Sequence, residues 1–90
     1  MDPQEYAVIQ KESLIEHFPG YDIVQDVTTS IFDDKYGYTY VGFNPLINDV
    51  ISTTIIGSKG YIYQFQLNSN LDNQTLYNFD KILQSIKFFD

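Results

Sequence analysis

Cysteine is missing from this chain, and so is arginine. Without cysteine there is no disulfide and no thiolate metal site, and the composition suits a reducing or an oxidising compartment equally. Without arginine, five lysines face twelve acidic residues, for a formal charge of −7. Such a surface keeps a domain in solution and repels phosphate backbones and anionic lipid heads. Nucleic-acid affinity rests largely on cations that neutralise phosphates, so this balance argues against a nucleic-acid partner. Long apolar runs are missing too: nothing approaches the roughly eighteen consecutive apolar residues that a membrane-spanning helix needs, so no membrane insertion is expected. The opening MDPQEYAVIQKE carries neither the basic segment nor the apolar core of a secretion signal.

What is present is a folded domain. A hydrophobic content of 43%, with 17% aromatics, is well above that of disordered chains. Ninety residues make a single domain, 1–90, with one modest core. Asp2-Pro3-Gln4-Glu5 reads as a helix start: Asp2 can cap, Pro3 suits the first helical position, and Glu5 completes a capping box. Ala7, Val8, Leu14, Ile15 and Phe18 recur at helical spacing and Pro19-Gly20 ends the run, which predicts a helix over 3–18.

From Tyr21 the period changes to two. A strand is expected over 21–32, with Ile23, Val27 and Ile31 on one face and Val24 and Phe32 on the other. Asp33-Asp34-Lys35 turns the chain into a second strand, 37–43, which Asn44-Pro45 breaks. A third strand over 50–56, a hairpin turn at Gly57–Gly60 and a fourth strand over 61–67 follow. Residues 68–73 are polar and read as a loop. Leu76, Phe79, Leu83 and Ile86 then form the apolar stripe of a helix over about 74–87. The fold class is α+β: helix, four-stranded antiparallel sheet, helix.

One stretch invites a sharper reading. KYGYTYVGF, residues 35–43, places Gly37, Tyr38, Tyr40, Val41 and Phe43 on positions of the ribonucleoprotein signature of RNA-recognition domains. Tyr36 replaces its basic residue and Thr39 its small one. Those domains also need a strand before the first helix, and a helix soon after this strand. Here the helix comes first and two strands follow. The aromatics are therefore expected to be core packing rather than a base-stacking platform.

The remaining polar groups suggest no catalytic site. His17, the single histidine, falls in the last helical turn, where a partly cationic ring suits the dipole, and no G-x-S-x-G or zinc spacing accompanies it. Asp26, Asp33 and Asp34, or Asn68, Asn70 and Asp72, offer oxygen ligands for calcium. The second set lacks the glycine and glutamate of an EF-hand loop and is expected to be a polar loop with a helix cap. Asn73-Gln74-Thr75 is a glycosylation sequon that matters only in a glycosylating compartment. No metal, cofactor or catalytic residue is expected.

Three segments together resemble a known family. EYAVIQKESLIEHFPGYDIV, YGYTYVGFN, and KGYIYQFQLN followed by LYNFDKILQSIKF are similar to the PsbP-like domains of many archaeal and bacterial proteins. Gly60-Tyr61-Ile62-Tyr63 and Ile82-Leu83-Gln84-Ser85-Ile86-Lys87-Phe88 carry the resemblance best, over nearly the whole chain. It implies an antiparallel sheet sandwiched between helices, and a non-enzymatic accessory or binding module with an unnamed protein partner. Family domains begin with strands before the first helix, whereas this chain starts at that helix's cap. It is thus either a short, N-terminally truncated version read as cytoplasmic, or part of a longer exported protein. The alternative function is a small apolar-ligand site between sheet and C-terminal helix, lined by Tyr61, Tyr63 and Phe79. The uncharged strand 61–67 is also expected to pair two copies into a homodimer.

Overall fold

The computed structural model describes residues 2–70 and 73–87. Its order is α1 (Pro3–His17), β1 (Asp22–Phe32), β2 (Lys35–Asn44), β3 (Asp49–Ser58), β4 (Tyr61–Asn70) and α2 (Asn73–Gln84). The strands form one antiparallel meander, β1-β2-β3-β4. This is the α+β arrangement expected from the sequence.

Helix α1 begins where the capping residues place it. The Asp2 carboxylate accepts from the Gln4 amide at 3.2 Å, and the Phe18 amide closes the last turn on the Leu14 carbonyl at 2.9 Å. The buried face differs from the expected one. Ala7 and Leu14 are buried, whereas Ile15 and Phe18 are 46% and 58% exposed. The reason is the close approach of helix to sheet. Pro3 rests against Gly57, and a Cβ on Gly42 would stand 2.8 Å from a Leu14 methyl. The 3-7-14 row fits these bare patches of backbone, and Ile15 and Phe18 are carried round to solvent.

Strand β3 is the centre of the molecule, with Val50 through Ile56 buried on both faces. On one face Leu14, Tyr40 and Ile51 pack with Tyr21, Ile23 and Val27. On the other Phe32, Ile56 and Leu83 pack with Phe65, Phe79 and Ile86. The two helices therefore lie on opposite faces of the sheet, and the α2 stripe docks as its periodicity predicts. Two register shifts in β1, between Ile23 and Gln25 and between Gln25 and Thr28, cancel in parity and keep Ile23 and Val27 on the α1 side.

Each element's bounds differ from those expected by one to three residues, β2 starting at Lys35 inside the expected turn, and the ends of β3, β4 and α2 have clear causes. Strand β3 runs through Ser58, so its hairpin turns on Lys59 and Gly60 alone, at φ 53° and 79°. Strand β4 runs through Asn70, because Ser69 and Asn70 pair with Val50 and Asp49. A ladder against a buried strand outweighs the polar composition that made 68–70 look like a loop. Helix α2 ends at Gln84, where the Ser85 hydroxyl donates to the Ile82 carbonyl at 2.7 Å.

The β1–β2 hairpin turns on Asp33 and Asp34, both left-handed, at φ 50° and 64°. Such a turn favours glycine at its second position. Asp34→Gly is expected to raise stability by about 0.5 kcal/mol in urea unfolding. A loss of stability would show that the Asp34 side chain contributes more than its backbone strain costs.

Burial raises the Tyr40 hydroxyl above its ordinary 10.0. The unfolded chain ionises this phenol at about its ordinary pKa, while the folded chain holds it neutral. Stability from this source is therefore complete below pH 10.0 and is lost as pH rises through the elevated folded value. Tyr40→Phe should flatten the fall in melting temperature above that pH. An unchanged alkaline slope would contradict this.

Candidate functional site

Helix α2 does not cover its face of the sheet. Among the described residues of the helix only Leu83 is buried, and it packs with Ile56, Phe65 and Phe32. The β1–β2 side of that face stays open, leaving a half-open groove of about 570 Å³. Its floor is built by register: Thr28 stands opposite Thr39, and Val41 opposite Ser52. Ser30 and Phe32 extend the floor along β1, and Leu76, Phe79 and Leu83 form the wall. Asp80 and Gln84 lie along the helix side, and Asp80 is the one charged residue among the described residues lining the groove.

The hydroxyls are not all equivalent. Thr39 and Thr54 share a hydrogen bond at 2.8 Å, which fixes the floor between β2 and β3. The groove thus offers apolar walls with a few hydroxyls and amides at fixed spacing and a carboxylate at one side. That mixture, at this volume, suits a small molecule with an apolar body. The Asp80 carboxylate and the overall charge disfavour an anionic one.

The residues expected at a ligand site are only partly together here. Phe79 lines the groove. Tyr61 and Tyr63 do not: they lie on β4, 69% and 41% exposed, and Tyr61 borders a separate hollow with Pro3, Tyr36 and Tyr38. No residue of β4 lines the groove. Thr28, Ser30, Thr39 and Ser52 were not singled out from the sequence. Their signal is Ser and Thr on one face of three neighbouring strands, legible only once the β1–β2 and β2–β3 registers are known.

The other groups have local explanations. Tyr40 lies buried on the α1 face, so the KYGYTYVGF tyrosines do not form an open stacking row. His17 is exposed, with Nδ1 3.0 Å from the Ser13 carbonyl oxygen and 3.2 Å from its hydroxyl. Asp26 pairs with Lys11 at 2.7 Å and accepts the Val27 amide at 2.7 Å. Its carboxyl is held below the usual range, first by the Lys11 hydrogen bond and then by the Val27 amide. Asp33 lies 3.8 Å from Lys87. Asn68 and Asn70 belong to β4, while Asp72 lies outside the described residues. Among the described residues no three His, Cys, Asp or Glu side chains are grouped to hold a metal ion. Among them, no helix is long and apolar enough to cross a membrane.

No family model, curated protein or solved structure matches this chain.

Proposed function

We propose that the chain is a non-catalytic binding module of the PsbP-like kind. Its site is the groove between α2 and the β1–β2 side of the sheet, and its ligand is small, with an apolar body and a neutral or cationic polar group. The observation that carries this reading is the open face itself. A helix with a well-formed apolar stripe leaves about 570 Å³ beside it, lined by Val41, Phe79 and Leu83 and floored by hydroxyls. Titration with the neutral dye Nile red tests it. The expected result is saturable one-to-one binding with a blue-shifted emission, weakened by Phe79→Ala. No saturable binding would overturn the reading.

A protein partner is the second reading. Leu46 and Ile47, 89% and 61% exposed, sit in the β2–β3 turn, where two neighbouring apolar side chains have no folding role of their own. Nucleic acid is not among the proposed partners. With −7 charge and Tyr40 buried, fluorescence anisotropy at physiological salt is expected to show no affinity for single-stranded RNA. Micromolar binding lost on Tyr38→Ala would contradict this.

A further inference from the structure

The two edges of the sheet differ in what they can accept. Strand β1 is broken by two register shifts and carries Asp22 and Asp26, features that deter pairing. Strand β4 is ten residues long, pairs with β3 without a shift, and holds no charge, proline or glycine from Tyr61 to Asn70. Ser58 and Tyr61 close a two-residue turn as a hydrogen-bonded pair, and such pairs alternate along an antiparallel ladder. Tyr63, Phe65, Leu67 and Ser69 therefore bond to β3. Ile62, Gln64, Gln66, Asn68 and Asn70 turn their amides and carbonyls to the open edge.

The side chains of three of those residues are linked by hydrogen bonds. The Tyr6 hydroxyl donates to Gln64 at 3.3 Å, Gln64 donates to Gln66 at 3.3 Å, and Gln66 donates to Asn68 at 3.1 Å. The result is a carboxamide ladder along the α1 face of an edge strand, the kind of row that stacks against its own copy. Helix α1 packs chiefly on β1, β2 and β3 and reaches β4 through the Tyr6–Gln64 hydrogen bond.

We propose that β4 pairs along this edge with β4 of a second copy, antiparallel about a twofold axis at Gln66. The outward-bonding residues are centred on Gln66, so this register uses all of them. Gln66 meets Gln66 of the partner subunit, Gln64 meets Asn68 of the partner subunit, and Ile62 meets Asn70 of the partner subunit. On the α2 face Phe65 meets Leu67 of the partner subunit. At the centre of the join amides thus face amides and Phe65 faces an apolar group, Ile62 meets an amide only at the two ends, and both sheet edges at the join are closed. Pairing of β4 with β1 of another copy would instead propagate without closing, and the bulges and Asp26 of β1 oppose it. The pairing does not depend on the groove, which lies at the other side of the sheet.

Sedimentation equilibrium from micromolar to millimolar concentration tests it. The wild-type chain is expected to reach a dimer mass, more readily at higher salt because the −7 charge of each copy is then screened. Gln66→Lys and Gln66→Glu, folded by circular dichroism, should each weaken the dimer by roughly tenfold, since like charges then face each other across the axis. An equimolar mixture of the two should restore it. A monomer mass for the wild type at millimolar concentration would overturn the proposal. So would charge variants that associate as tightly as the wild type, or a mixture that stays monomeric.

Discussion

Ile56→Ala is expected to lower the unfolding free energy by about 2–5 kcal/mol. Ile56 is fully buried on β3 and touches the cluster that joins Phe32, at the end of β1, to Leu83 on α2. Removing it leaves a cavity that neighbours on three elements would have to fill. Phe32 cannot simply slide in, because its ring already lies on Gly37, where a Cβ would meet it at 2.5 Å. A domain of this size has only about 5 kcal/mol or slightly more to lose, so the variant should be marginal at room temperature. Ile15→Ala provides the contrast. That residue is 46% exposed, and its truncation should change stability by less than about 0.5 kcal/mol. Urea unfolding of the pair checks the assignment of buried faces; equal effects would contradict it.

Val41→Trp is expected to abolish ligand uptake while leaving the fold intact. Val41 sits on the groove floor opposite Ser52, and an indole there would project into the space beside Phe79. Aromatic residues are well tolerated on strands, so the melting temperature should stay within a few degrees. Nile red affinity should fall at least about tenfold, equivalent to roughly 1.4 kcal/mol. Undiminished affinity in a folded variant would place the dye elsewhere on the molecule.

Much of this fold is legible in the residues. Asp2-Pro3 starts a helix because its groups satisfy helix amides, and Tyr61–Leu67 is a strand because its apolar residues alternate. Phe79 and Leu83 of α2, with Ile86 just past its end, meet a sheet face of matching period that carries Phe65. The buried face of helix α1 is less legible. Its burial follows Gly42 and Gly57 on strands far along the chain, and no local periodicity in α1 reports them. The polar end of β4 is not legible locally, because its partner, the buried β3, decides its state.

The groove was visible only in outline. The sequence predicts a space between sheet and C-terminal helix, and Phe79 is on its wall, but strand parity also points to Tyr61 and Tyr63, which do not line it. Parity places a side chain on a face; it does not say on which flank of a helix the face stays open. That depends on where α2 crosses the sheet, which the packing of Leu83 on Phe32 and Ile56 sets.

Amide chemical shifts measured during a Nile red titration test the central claim most directly. If the groove beside α2 is the ligand site, the shifts should concentrate at Thr28, Ser30, Thr39, Val41, Ser52 and Phe79, with Tyr61 and Lys59 unmoved. Shifts centred on β4 or on the β2–β3 turn, with the groove amides unchanged, would contradict it.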